Sequence, residues 1–229
     1  MLIGIHQPHY LPWLRYFEKI ARADVFIVLD NIQYSKNGWQ NRNRIRTANG
    51  AATLTVPVQA RLGQSIDTVS IDNQHRWQKK HWASLRQNYA RAPYWDRYAD
   101  ALEDAYTREW RTLNELNAFM LTRFLEMLEI DTRIEYASRL GVAGVATERL
   151  VNLVRAVGGT AYYSGAYALE VYLDEDELAR AGIELVLQEW RAPAYPQVHG
   201  GEFVPDLAIV DLLMNCGPES RDILLKGTE

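Results

Sequence analysis

Two apolar runs of strand length bracket one short amphipathic stretch at the start of this chain, and that arrangement restricts the fold more than any other feature. Leu2 to His6 reads as a buried strand. Pro8 biases Gln7 away from helical angles, so the strand leaves into an extended turn. Pro12 suits the first position of a helix, and Leu14, Phe17, Ile20 and Ala21 follow at helical spacing. Asp24 to Asp30 is a continuous apolar run closed by a carboxylate, the pattern of a central parallel strand. Strand, helix and second buried strand predict a parallel α/β unit. In such units ligands bind beyond the carboxyl ends of the strands, near a helix N-terminus.

The rest of the chain extends that unit. Ala52 to Val58 and Val69 to Ile71 read as strands. His75 to Arg91, Tyr94 to Tyr106 and Trp110 to Glu129 read as helices. The last of these carries Leu113, Leu116, Met120 and Phe124 on one apolar stripe. Thr132 to Ala137 returns to strand character. Thr147 is placed to cap a helix that stops at Gly158-Gly159. The strand Ala161 to Ser164, a helix near Asp174 to Ala181 and the strand Ile183 to Trp190 complete a second β–α–β run. No linker, repeat or low-complexity tract interrupts the sequence. It predicts one α/β domain over 1–229, a predominantly parallel sheet flanked by helices, with a helical section over 75–130 inside it.

Both early strand ends carry dense polar chemistry. His6, Gln7, His9, Tyr10 and Trp13 follow the first strand; Asp30, Gln33, Lys36, Asn37, Trp39, Gln40, Asn41, Arg42 and Asn43 follow the second. Such a mixture is poor core material and describes a pocket for a polar, anionic small molecule. No acidic residue lies between Asp30 and Asp67, where Lys36, Arg42, Arg44, Arg46 and Arg61 give a local charge of +5. The chain totals -4, so the remainder carries -9. Clustered cations call for a counter-charge, although a basic loop on a mixed surface gives the same pattern. The negative total argues against general nucleic-acid binding.

Cys216 is the single cysteine, which excludes an internal disulfide and CxxC sites; at the end of a buried helix it reads as small core filler. No H-E-x-x-H or paired His/Cys spacing points to a metal. No cofactor is specified, but a nucleotide-activated or otherwise anionic donor fits. The first residues lack the basic region of a signal peptide, and no run reaches membrane-span length, so a cytoplasmic setting is expected. The oligomeric state is not encoded in any legible signal.

Roles follow from residue chemistry. His6 is the candidate acid/base, with a histidine held by backbone hydrogen bonds as the plainer reading. Asp30 would orient it or accept a hydroxyl, or simply cap the following turn. Lys36 and Arg42 would clamp an anion, with Arg44 on the same strand face. Lys36 is one of only 5 lysines against 20 arginines. Gln7, Tyr10, Gln33, Asn37 and Asn41 supply groups for hydroxyls or carboxylates, and Trp13 and Trp39 supply stacking faces. Ser164 ends a strand and Gln197 sits on a late loop, both able to line the opening. Asp211 and Asn215 lie one helical turn apart; they are expected to hydrogen-bond the His6–Tyr10 turn from a second layer. His6 and His9 form a His-x-x-His pair of the kind found in the phosphate-binding turn of nucleotidylyltransferases, with Pro8 where glycine is usual.

With His6-Gln7-Pro8-His9-Tyr10-Leu11-Pro12-Trp13, Tyr16-Phe17, Lys36-Asn37 and Trp39-Gln40-Asn41-Arg42, the chain resembles the WbqC-like family. Tyr195-Pro196-Gln197, Phe203, Leu207, Ile209, Asp211, Leu212 and Asn215 to Gly217 extend the resemblance to the C-terminal part. It implies a place in bacterial clusters for O-antigen and other surface polysaccharides, and transfer of an aminoacyl or acyl group such as glycine. It supplies no catalytic residues. The expected function is therefore a cytoplasmic transferase for an activated anionic small molecule. The alternatives are a non-catalytic binder of sugar-nucleotide or glycolipid intermediates and a nucleotidylyltransferase-like enzyme.

Overall fold

The computed structural model describes residues 1–165, 168–169 and 173–227. Its centre is a five-stranded sheet of β1 (Leu2–His6), β2 (Val25–Val28), β7 (Arg133–Tyr136), β8 (Ala161–Gly165) and β9 (Glu184–Gln188). All pairings are parallel and the spatial order is β7-β2-β1-β8-β9. The chain builds outward from β1 through β2 to β7, then returns to the other side of β1. The reversal falls between β1 and β8. In open parallel sheets such a switch point leaves a crevice at the carboxyl edge, because the flanking connections diverge there.

Side-chain alternation along β1 divides the two faces. Ile3 and Ile5 face α6 (Ala146–Ala156), joining Val25, Ile27, Leu150, Val151 and Val154 in one core. On the other face lies α1 (Leu14–Arg22), whose Leu14, Phe17 and Ile20 enter a larger core with Phe26, Val28 and Phe124. Gly4 is what lets α1 approach. A Cβ there would meet Phe26 Cδ2 at 2.9 Å and Lys19 Cγ at 3.3 Å. Gly4→Ala is expected to destabilise the fold by ~1–3 kcal/mol through overpacking. A denaturant titration showing an unchanged midpoint would refute that.

The helical section is α2 (Trp77–Tyr89), α3 (Trp95–Thr107) and α4 (Leu113–Met127), the last opened by a Thr112/Glu115 capping box. Before it, β3 (Arg42–Thr47) and β4 (Gly50–Thr55) form an antiparallel hairpin. The strand expected over Ala52 to Val58 is interrupted. Val56 N–H bonds Asn41 O, Pro57 has no donor, and β5 (Val58–Gln59) pairs instead with β6 (Ser70–Ile71). Thr147 is not the helix cap. Its hydroxyl accepts the Asp174 N–H at 2.9 Å, so it joins α6 to the start of α7 (Glu175–Arg180). The helix α8 (Ile209–Cys216) is buried on every side and ends at Cys216, whose thiol is pushed up to about 11 by burial. Among the described residues no helix is long and apolar enough to cross a membrane.

Candidate functional site

A cavity of about 900 Å³ opens at the carboxyl edge of β1 and β8, over the switch point. This is near the upper end of the range for small-molecule sites. β1 delivers His6, β8 delivers Ser164, and β9 delivers Gln188. The N-terminal part of α1 contributes Trp13 and Arg15, and the start of α6 contributes Val145, Ala146 and Arg149. Two helix N-termini of at least two turns thus meet the same space, which favours negative charge there. The lining holds Arg15, Lys19 and Arg149 and no carboxylate among the described residues.

Lys19 is the residue that sequence reasoning missed. It is 5% exposed, yet its side chain lines the cavity and makes no hydrogen bond or ion pair with a described residue. Its neighbour Glu18 is fully buried but committed elsewhere. The Glu18 carboxylate accepts from Tyr163 Oη at 2.9 Å, from Arg22 Nε at 3.2 Å and from Gln188 Nε2. Desolvation lowers Lys19 to about 8, partly opposed by the nearby Glu18 charge.

His6 faces the same space. Its Nδ1 lies 3.1 Å from Gln7 O, so Nδ1 is the donor there and Nε2 keeps its lone pair. Burial, then the Lys19 charge, lowers His6 to about 3. His9 packs edge-on against it with ring centres 4.7 Å apart and is also held neutral by burial. His9 is 5% exposed and its buried Nδ1 has no protein partner. An orphan imidazole nitrogen on a cavity wall is a position for a ligand or water.

The turn that carries these rings is held from outside. Leu11 sits at φ +45°, a left-handed conformation rarely taken by leucine. Its carbonyl accepts from Asn43 Nδ2 at 2.6 Å. Gln40 donates to Gln7 Oε1 at 2.6 Å, and its carbonyl accepts from Tyr10 N–H at 3.2 Å and Asn117 Nδ2 at 2.9 Å. Pro12 O accepts the Ile209 N–H at 2.8 Å, and Trp13 bridges to Ala208. Five tethers thus over-determine a strained turn, the usual setting of a pre-organised site.

A family model described as the WbqC-like protein family matches residues 7–223. The chain belongs to that family. It is 38% identical over 226 residues to "Uncharacterized protein Rv1507c" of Mycobacterium tuberculosis (strain ATCC 25618 / H37Rv), covering 97% of this chain and 96% of that one. No solved structure gives a significant match.

In this WbqC-like chain the cavity gathers His6, Gln7, Trp13, Trp39 and Ser164 from the residues singled out in the sequence, together with His9. The others lie elsewhere. The Asp30 carboxylate accepts from Ser138 N–H (2.9 Å), Ser138 Oγ (2.7 Å) and Asn114 (3.3 Å), so it anchors α5 (Ala137–Leu140), which follows β7, and not His6. Lys36, Gln33 and Asn37 are exposed and outside the lining. Tyr10 is fully buried, hydrogen-bonded to His81 at 2.8 Å and Tyr106 at 2.9 Å. Asn41 donates to Val56 O at 2.8 Å.

The arginines of β3 find their counter-charge in carbonyl dipoles. Arg42 donates to Asn37 O, Arg44 to Asp206 O at 3.0 Å, and Arg46 to Gly200 O at 2.8 Å. Three of the five cations in the +5 window are thus latches that hold two loops, and the cations lining the main cavity are three others. Asp211 is buried as expected of a paired group, but its partners are Tyr89 (2.9 Å), Tyr195 (2.9 Å) and Gln197 (2.8 Å), not the His6–Tyr10 turn. Asn215 donates to Asp211 O at 2.7 Å. Among the described residues no group of three or more His, Cys, Asp or Glu could hold a metal.

Proposed function

We propose that this protein is a group transferase that binds an activated anionic donor at the switch-point cavity and passes an acyl or aminoacyl group to a hydroxyl or amine acceptor. Cytoplasmic bacterial surface-glycan assembly is the setting implied by the family resemblance; the chemistry rests on the cavity. One observation carries it: a buried Lys19 with no ion-pair partner among the described residues, beside a neutral His6, in a space where the described lining holds three cations and no carboxylate.

The two groups have opposite tasks. In the empty protein the Lys19 charge and burial keep His6 a weak base. An anionic donor offsets the Lys19 charge and raises His6 from its lowered value, although the larger effect of burial persists. The acceptor oxygen or nitrogen attacks the donor's acyl carbon and loses its proton to His6 Nε2. The bond to the anionic leaving group breaks, and the electron pair leaves with that group beside Lys19, Arg15 and Arg149. Gln188, fixed by Glu18 and by Arg15 O at 2.9 Å, presents its amide to the same space.

His6→Gln tests the base. It should keep the fold and lower turnover ~10²–10⁴-fold. A well-folded variant with wild-type turnover would remove His6 from the mechanism. The transferase reading itself is decided by incubation with mixtures of candidate acyl donors and glycan acceptors, followed by mass spectrometry. A product heavier than the acceptor by the acyl group supports it, whereas an unchanged mixture supports a binding protein. The 4.7 Å contact of His6 and His9 favours a second reading, nucleotidyl transfer, which the same assay reports as released pyrophosphate.

A further inference from the structure

A second, smaller cavity of about 310 Å³ abuts the first. Trp13, Arg15 and Trp39 line both, so the two share one wall. Beyond that wall the small cavity is aromatic, with Trp190, Tyr195 and Phe203, and it carries Asp206 at its rim. Its volume is at the lower end of the range for small-molecule sites, the scale of a single ring.

The rings meet at angles. Trp13 and Trp39 are inclined by 57° with centres 5.1 Å apart, and Tyr195 and Phe203 by 78° at 5.1 Å. A flat heteroaromatic base is gripped best by near-parallel faces, which neither pair offers. A puckered ring presents C–H groups on several sides and rests against inclined faces. It also presents hydroxyls at its edge, and of the charged lining residues Arg15 and Asp206 are exposed and Arg44 is half-buried. Arg15 uses one N–H on Trp190 O at 3.0 Å and has donors left over. Asp206 has its carbonyl latched by Arg44 at 3.0 Å and φ at +55°, which fixes the backbone while its carboxylate makes no bond to a described residue.

The small cavity borders the space that holds His6. Trp13, Arg15 and Trp39 line both cavities, and His9 packs on Trp13 at 5.6 Å and on His6 at 4.7 Å. We propose that this compartment is the acceptor site, and that it seats a neutral, hydroxyl-rich pyranose ring on Trp13, Trp39 and Phe203 with one hydroxyl reaching past Trp13 toward His6. The assignment of the ring as acceptor rests on the transferase reading, whereas the recognition of a pyranose by these side chains does not.

Titration with methyl glycosides of common hexoses and N-acetylhexosamines tests it, followed by tryptophan fluorescence and by saturation-transfer NMR. Saturable binding with Kd on the order of 1 mM is expected. Phe203→Ala should weaken it about tenfold and Phe203→Tyr should restore it, the melting temperature confirming that both fold. Uridine and adenosine should not compete. No saturable glycoside binding, glycoside binding indifferent to Phe203→Ala, or displacement by the nucleosides would each overturn the proposal. A parallel titration of the same protein with pyrophosphate reads the main cavity. Its failure would count against the donor site while leaving the glycoside result to stand alone.

Discussion

Lys19→Met should lower turnover ~10²–10³-fold, the effect of removing a charge aimed at a departing anion. Methionine fills the same volume along Gly4, so the fold should be kept, and losing an unpaired buried ammonium should raise the melting temperature. Activity and stability then move in opposite directions, a pattern that a structural lysine does not give. The pH profile carries the same signature. With Lys19 at about 8 in the empty protein, kcat/KM should fall as pH rises through that value and the amine loses its proton. Wild-type turnover in a folded Lys19→Met variant would end the assignment.

Acid should unfold this protein earlier and more steeply than its carboxylates alone dictate. His6 is lowered to about 3, His81 to about 4, and His9 well below its ordinary value, all chiefly by desolvation. In the unfolded chain each takes up a proton near pH 6.5, while the folded protein refuses it until far lower. The unfolded state therefore binds more protons as the pH drops, and stability present above about 6.5 is lost progressively below it. Each such histidine contributes a slope of about 1.4 kcal/mol per pH unit, so three give ~4. Against an ordinary domain stability of ~5–15 kcal/mol, that exhausts the margin within ~1–4 pH units. Urea midpoints measured from pH 7.5 to 4 read the slope directly. His81→Gln should reduce it by about a third; a flat profile down to pH 5 would contradict the burial of these rings as neutral species.

The sheet was legible because its signals are local. Runs such as Val25–Val28 announce a strand covered on both faces, and the reading placed β1, β2, β8 and the helical section close to where they lie. Strand order was not legible, and with it the position of the crevice. Lys19 shows why. Arg15, Lys19 and Arg22 recur at helical spacing opposite Leu14, Phe17 and Ile20, the pattern of a wet face. Arg15 and Arg22 are exposed as that pattern predicts, but Lys19 is buried, and its neighbour Glu18 is bonded by Tyr163 and Gln188, 145 and 170 positions away in sequence, so no local window reveals the burial. One signal is present in the sequence: lysine is rare in this chain, and Lys19 shares that rarity with Lys36.

The amides misled for a related reason. Gln40, Asn41 and Asn43 look like substrate hooks in sequence, but the backbone groups their side chains serve belong to Ser35, Val56 and Leu11. Side-chain amides serve a strained main chain as readily as a ligand. Likewise the period-two alternation of Arg42, Arg44 and Arg46 was visible, but the carbonyls they latch lie at Asn37, Asp206 and Gly200.

The bond from Ile209 N–H to Pro12 O has a meaning for the order in which a ribosome makes this chain. Pro12 and Trp13 emerge among the first residues, while Ala208 and Ile209, which clasp them, emerge nearly two hundred residues later. A nascent chain can pair β1 with β2 early, but the turn bearing His9 lacks its clasp until α8 leaves the exit tunnel. Termination between β9 and that helix yields a polypeptide with all five sheet strands and an unclasped turn. The turn therefore gains its last clasp in one late step of synthesis.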